Sequence, residues 1–134
     1  MSKEMKKPLT KTRKQQAGPV TLETVRQLAL DLPEVEEGTS YGTPAFRVGG
    51  KILARFHQDG ESLVLKVEYA AREVLIGTKP DTFYVTDHYA CWPLMLVRLS
   101  SVNLEELRQL LEEAWRGIAP KRALKAWEAI NEKR

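Results

Sequence analysis

The sequence predicts a single α+β domain in which a twisted antiparallel sheet of about five strands carries helices on one of its faces. Three observations support this prediction. Apolar residues recur at helical spacing near both ends of the chain, whereas they alternate with polar residues in its centre. Glycine-containing turns separate the central segments at short intervals, which is typical of strands joined by hairpins.

Helical segments precede, interrupt and follow the predicted strands. Apolar spacing indicates a first helix over 21–32 and a short helix over 70–76. The clearest helix begins after the capping residue Asn103 and carries an apolar stripe as far as Ile118. Pro120 suits the start of a last helix.

The predicted strands lie between these helices. Gly49-Gly50 indicates a two-residue hairpin turn, because both positions can take a positive φ. The acidic segment 34–43 lacks apolar alternation and is predicted to be a loop. The alternating segments predict strands over 45–48, 51–57, 62–68, 82–89 and 93–101.

Composition limits the class of protein. The 134 residues are 43% hydrophobic and 29% charged, which suits one globular domain with its own core. No apolar run approaches the roughly 18 residues that a membrane span needs. The only cysteine, Cys91, excludes an internal disulfide and suits a reducing compartment. We therefore expect a cytoplasmic monomer that has no membrane segment and needs no cofactor.

Charge is distributed unevenly along the chain. Residues 1–19 hold six Lys or Arg and one Glu, without apolar periodicity, and are predicted to form a basic, disordered arm. Residues 20–134 are predicted to form the domain. Within it, residues 20–114 hold nine basic and fifteen acidic residues. The basic pI therefore comes from the two ends of the chain and is weak support for nucleic-acid binding.

Alternation along the strands assigns the side chains to two faces of the sheet. One face is almost wholly apolar, includes Ile52, and is expected to pack against the helices. The other includes Leu53 and Tyr84, together with five cations: Arg47, Lys51, Arg55, Lys66 and Arg98. These cations can contact the phosphates of DNA, or they can be the solvated side of an ordinary sheet.

Two loops offer an alternative site for a protein or a small molecule. The segments 34–43 and 88–93 carry hydroxyl, imidazole and aromatic side chains, and they would have to converge beside one pocket. The candidate residues are Tyr41, Thr43, His88, Tyr89 and Trp92.

No motif predicts catalysis or a metal site. His88 and Cys91 are spaced as two metal ligands could be, but the only other histidine, His57, lies on a different predicted strand. We interpret the pair as a loop histidine beside a buried cysteine, and we interpret the three tryptophans as core or core-edge residues. The sequence therefore favours a protein that is not an enzyme and binds no metal.

Residues 21–128 resemble the MmcQ/YjbR family of small bacterial proteins. The segments that carry the resemblance, in the order of the family, are "LPEVEEGTSYGTPAFRVGGKILARF", "LVLKV", "PDTFYVTDHYACWPLMLVRL" and "LEELRQLLEEAWRGIAPKRA". Residues 1–19 lie outside it.

The resemblance implies a CyaY-like fold and a DNA-binding function of double-wing type, which is predicted for members of the family. Iron binding, which frataxins of similar fold perform with an acidic ridge, is not implied, because the first helix has only Glu23 and Asp31. The positions characteristic of the family are Gly42, Pro44, Phe46, Lys51, Lys66, His88, Tyr89, Pro93 and Trp115.

Overall fold

A computed structural model of the chain describes residues 20–132. The arm predicted at residues 1–19 lies outside this range. The predicted α+β class is confirmed: within residues 20–132 an open, six-stranded antiparallel sheet is combined with four helices. In chain order the elements are α1 (Leu22–Leu30), β1 (Val35–Ser40), β2 (Thr43–Val48), β3 (Lys51–Phe56), β4 (Ser62–Lys66), α2 (Tyr69–Thr78), β5 (Phe83–Tyr84), β6 (Leu94–Arg98), α3 (Leu104–Ile118) and α4 (Lys121–Glu132). The strand order across the sheet is β1-β2-β3-β4-β6-β5.

The main core lies between the helices and one face of the sheet. The helix α3 contributes the buried side chains of Leu107, Leu111 and Trp115, which repeat at helical spacing as the sequence predicts. Asn103 caps this helix, since its side-chain oxygen accepts hydrogen bonds from the backbone N–H groups of Glu105 (2.9 Å) and Glu106 (3.2 Å).

The acidic segment predicted as a loop is a strand. Residues of β1 pair with β2 from Val35↔Val48 to Ser40↔Thr43, so β1 is an edge of the sheet. Its side chains are almost all exposed, and for this reason it lacks the apolar alternation by which the sequence reveals the other strands. Charged side chains also suit an edge strand because they oppose pairing with another chain.

The predicted strand over 82–89 is mostly a turn. Of this segment, only Phe83–Tyr84 forms a strand, which pairs with β6. Residues 85–93 form a series of turns, called here the 85–93 turn. The ring of Tyr89 packs against Val64 and Leu96 on the face that the helices leave open. The 85–93 turn therefore covers part of the face that alternation predicted to be bare.

A β-bulge changes the face assignment on β3. Phe46 lies opposite Ala54, but the next residue, Arg47, lies opposite Ile52, so Leu53 is the extra residue. Leu53 consequently belongs to the helix-side core, and Ile52 shares the open face with Arg47. The predictions for these two residues were wrong, because strict alternation assumes a regular strand.

The ion pair between Arg26 and Glu37 joins α1 to the edge strand β1. Arg26 donates from Nε to Glu37 Oε1 (2.8 Å) and from Nη2 to Glu37 Oε2 (2.9 Å). These hydrogen bonds hold the pKa of Glu37 below its usual value. A lowered pKa in the folded state adds stability above the unfolded pKa, and this contribution is lost as the pH falls through the folded pKa.

We therefore expect Glu37→Gln to lower the urea midpoint at pH 7 and to have a smaller effect at about pH 3, below the pKa of an unfolded glutamate. Glu73→Gln, which changes an exposed carboxylate on α2, is the matched control. A Glu37→Gln effect that is equal at both pH values would contradict this assignment of the ion pair.

Candidate functional site

Four of the five predicted cations share the open face of the sheet. The register places Arg47 opposite Ile52, Arg55 opposite Val64, and Lys66 opposite Leu94. Arg98 lies opposite Ser62 on β6. Lys51 is the exception: it lies opposite the core residue Val48, because the bulge has moved it to the helix side, and its predicted place on this face was wrong.

Arg98 is the most accessible cation of the open face. Its guanidinium lies 4.2 Å from the centre of the Tyr84 ring. The hydroxyl of Tyr84 is 2.7 Å from Ser62 Oγ, which keeps the ring in position beneath the guanidinium. Arg98 is exposed and is thus available to a charged partner.

Arg47 is more strongly engaged within the protein. Its Nη1 donates to the backbone carbonyl of Thr39 at 3.2 Å. Glu36 lies directly opposite Arg47 in the register of β1 and β2, and the carboxylate reduces the positive charge at this edge of the sheet.

The two candidate loops converge beside one pocket on the open face. Tyr41, at the tip of the hairpin between β1 and β2, lines it from one side, and His88 and Tyr89 of the 85–93 turn line it from the other. The cavity has a volume of about 380 Å³, and Arg55 lies on the sheet beneath it. His57, Gln58 and Thr86 complete the lining.

Arg55 is held between two aromatic rings. Its guanidinium carbon lies 5.3 Å from the centre of the Tyr41 ring and 5.6 Å from that of Tyr89. Its Nη2 donates to the hydroxyl of Tyr89. Within residues 20–132 no carboxylate forms a salt bridge with this half-buried guanidinium.

Two imidazoles flank the ring of Tyr89. The His88 ring meets it edge-on with 4.7 Å between ring centres, and the His57 ring lies 6.3 Å away. The Nδ1 of His57 is 3.3 Å from Asp59 Oδ1, so this side of the imidazole is turned towards Asp59. Burial raises the pKa of Asp59, but hydrogen bonds from the N–H groups of Glu61 and Ser62 and from His57 outweigh it, and the pKa is lowered.

Tyr41 has an unusual backbone conformation. Its φ is 54°, and that of Gly42 is 81°, so the hairpin turn needs a left-handed conformation at both positions. Asparagine or glycine adopts this conformation readily, whereas a bulky residue is strained there by about 1–2 kcal/mol. The residue is nevertheless 79% exposed, so burial offsets little of the strain.

Arg72 is a structural residue of the site that the sequence did not reveal. Although it lies on α2, the residue is only 7% exposed. Its Nη1 donates to the carbonyls of Trp92 (2.9 Å) and Leu94 (3.1 Å), and its Nη2 donates to that of Ala90 (3.1 Å). Arg72 therefore fixes the 85–93 turn over the sheet, and with it Tyr89. An arginine on a short helix gives no sequence signal for such a role.

The remaining candidates lie outside this pocket. Thr43 donates to the carbonyl of Ser40 (2.9 Å) and borders a neighbouring cavity of about 470 Å³ beside Val20, which shares His57 and Gln58 with the pocket. Trp92 is 60% exposed and Cys91 is exposed, so the predictions of a core-edge tryptophan and a buried cysteine were wrong. Both belong to the turn that replaces the predicted strand.

Over residues 20–132, no three His, Cys, Asp or Glu side chains are grouped so that they could hold a metal ion. None of the helices in this part of the chain is long and apolar enough to cross a membrane.

The molecule is thus an α+β protein with an open-faced sheet and a cationic pocket under two turns. Residues 30–117 match the model of the YjbR family. The chain belongs to the YjbR family, as the sequence resemblance implied.

The chain is also similar to curated proteins and to a solved structure. The chain is 36% identical over 53 residues to the uncharacterized proteins Mb2600 of Mycobacterium bovis and Rv2570 of Mycobacterium tuberculosis. These matches cover 40% of this chain and 41% of each relative, so they span about two fifths of the relatives' length. Among solved structures, the chain resembles the Deinococcus radiodurans protein DR2400, which has a domain of the DUF419 family. The TM-score is 0.65 at 26% identity, over 75% of this chain and 79% of that one.

Proposed function

We propose that the protein is a non-enzymatic DNA-binding protein that contacts phosphates through the open face of its sheet. The observation that carries this proposal is the sorting of Arg47, Arg55, Lys66 and Arg98 onto one face, although the surrounding segment 20–114 is acidic. The single, exposed cysteine suits a reducing cytoplasm, where we propose that the protein acts.

The dimensions of the face suit a polyanion. Across the sheet, the strands that carry Arg47 (β2) and Arg98 (β6) are three strand spacings apart, about 14 Å. Duplex DNA carries one charge per roughly 1.7 Å of its axis, so a stripe of this width meets several phosphates. The basic residues of 1–19 would add affinity that is independent of sequence.

A small-ligand-binding function is the second candidate. It is supported by the convergence of Tyr41, His88 and Tyr89 around Arg55, since a pocket shared by both loops was the condition for this alternative. A small ligand would use the pocket, whereas duplex DNA would use the whole stripe.

The proposed function predicts that duplex binding weakens steeply as the salt concentration rises, and that the cations of the sheet face cause this dependence. Each phosphate contact contributes about 0.9 to the slope of log K against log salt concentration. We therefore expect Arg47→Gln combined with Arg98→Gln in the full chain to reduce the slope by about 2 and to weaken binding. The measurement is a fluorescence-anisotropy titration of a duplex at several salt concentrations.

Two further variants make this test specific. Lys121→Gln combined with Lys125→Gln removes the same charge from exposed positions of α4 and should leave the slope unchanged. Replacing the six basic residues of 1–19 by Gln tests the arm. If the arm variant abolishes the slope while the sheet variant keeps it, the open face is a solvated surface and the proposal fails.

A further inference from the structure

We infer that the pocket between Tyr41 and the 85–93 turn binds a nucleotide, with its phosphate on Arg55 and its base stacked on the ring of Tyr41. This inference rests on the second candidate function and specifies its ligand class. It joins three features of the pocket: an arginine that has no counter-ion among residues 20–132, additional hydrogen-bonding groups around it, and an exposed aromatic ring held at the rim.

The first feature, the half-buried arginine, favours an anionic ligand. A charged side chain that is sheltered from water is normally paired, because partial burial weakens its hydration. Arg55 is half-buried, and within residues 20–132 its hydrogen bonds go only to the uncharged oxygens of Tyr89 and Phe56. A ligand phosphate would supply the missing charge, and arginine suits phosphate oxygens particularly well.

The second feature is the set of polar groups beside Arg55. His57 turns its Nδ1 side towards Asp59, which leaves Nε2 for a ligand. His88, Gln58 and Thr86 add an imidazole, an amide and a hydroxyl to the same lining. Their donors can satisfy several oxygens of one phosphate, and none of the described residues that line the pocket has a carboxylate that would repel it.

The third feature is the strained, exposed position of Tyr41. Residues held in a strained backbone conformation cluster at binding sites. The ring stands beside the guanidinium of Arg55, with their centres 5.3 Å apart, and most of its surface faces solvent. Such a ring is a platform for a base, since every base presents a π-face.

The size and openness of the pocket allow two sources of the same chemistry. A cavity of about 380 Å³ falls within the usual range for small ligands, about 300–1,000 Å³. The nucleotide can be a free monophosphate or one unit of a single strand. Both present a phosphate next to a base, and the experiment separates them.

Calorimetric titration of the full chain tests the inference with deoxyadenosine 5′-monophosphate as the probe. Deoxyadenosine, which lacks the phosphate, and inorganic phosphate, which lacks the base, should each bind at least about tenfold more weakly. A deoxyadenosine octamer forms the second arm. If the octamer binds much more tightly per site than the monophosphate, the pocket is assigned to single strands. If the two affinities are equal, the pocket is assigned to the free nucleotide.

Two substitutions connect the binding to the pocket. Arg55→Gln should weaken binding of the monophosphate about tenfold or more, because it removes the charge-assisted contact. Tyr41→Asn should weaken binding of the monophosphate about tenfold, because it removes the stacking surface. The unfolding midpoint of this variant should stay the same or rise, because Asn-Gly is a preferred sequence for this turn. A purely structural role of Tyr41 predicts no loss of binding. Arg122→Gln, on the helix side of the molecule, is the charge-matched control.

The inference is overturned if the wild-type protein shows no saturable binding of the monophosphate at concentrations up to about 10 mM, or if deoxyadenosine binds equally well. It is also overturned if folded Tyr41→Asn and Arg55→Gln proteins bind like the wild type. The DNA-binding proposal is tested by a different measurement, the salt slope of duplex binding in the Arg47 and Arg98 variants. Its failure can therefore be distinguished from failure of the nucleotide inference.

Discussion

Replacing Trp115 by alanine is expected to lower the free energy of unfolding by about 3–5 kcal/mol. Trp115 is fully buried in the core between α3 and the sheet. Its indole Nε1 donates to the carbonyl of Pro33 at 2.9 Å, and its ring lies 5.5 Å from that of Trp127. The substitution therefore creates a cavity and leaves the Pro33 carbonyl without this donor.

Urea unfolding measures this loss, and Trp115→Phe separates its two causes. Phenylalanine keeps most of the apolar volume but cannot donate the hydrogen bond, so we expect a smaller loss of about 1–3 kcal/mol. Trp92→Ala is the matched control, since the exposed ring of Trp92 should contribute within about 0.5 kcal/mol. Equal losses at positions 92 and 115 would contradict the placement of Trp115 as a central core residue.

Replacing Arg72 by methionine is expected to cost about 2–4 kcal/mol, because three backbone carbonyls lose a charged donor at once. The buried Nε of Arg72 has no hydrogen-bond partner among the described residues 20–132. This makes the side chain less favourable than a fully satisfied one and keeps the expected loss below the sum of three strong hydrogen bonds. Arg72→Lys should also destabilise the protein, since an ammonium cannot reproduce the planar fork of the guanidinium.

The effect of Arg72→Met should be concentrated in the 85–93 turn. We expect faster hydrogen exchange at the backbone amides of Tyr89 and Trp92, which bond within that turn, and weaker ligand binding in the adjacent pocket. Arg122→Met, at an arginine that is 75% exposed, should change neither stability nor exchange appreciably. An Arg72→Met protein with wild-type stability and exchange would show that other contacts hold the turn.

The elements that could be predicted from the sequence are those with strong local signals. Asn103 caps α3 as expected, because its side chain bonds to neighbouring N–H groups within the same helix turn. Gly49 and Gly50 both take a positive φ, 57° and 82°, in the predicted hairpin turn. In each case the interaction involves residues close in the chain, so the sequence contains all of its participants.

Other elements depend on distant partners. The strand β1 has no apolar alternation, and only its pairing with β2 makes it a strand. The bulge at Leu53 places Ile52 and Lys51 on the opposite faces of the sheet from those predicted, and no glycine or proline at Leu53 indicates a bulge. In both cases backbone hydrogen bonding across the sheet overrides the local pattern.

The candidate site was predicted in part. The sequence placed Tyr41, His88 and Tyr89 in two candidate loops and Arg55 on the opposite surface of the sheet from the helices. It assigned them to two alternative sites, because side-chain periodicity predicts which face of a strand a residue occupies but does not predict how a turn folds back over that face. The structure brings these residues together in one pocket, and the buried Arg72 fixes the turn that closes it.

The sequence by itself determined the fold class, the helix that carries the core, the glycine hairpin and membership of the YjbR family. These properties follow from side-chain periodicity, capping and local turn conformation, which act between near neighbours. Only the tertiary structure decided which cations share the open face, that Arg55 lies between Tyr41 and Tyr89, and that a buried arginine holds the 85–93 turn. These arrangements depend on strand register and on contacts between residues far apart in the chain, which no local pattern encodes.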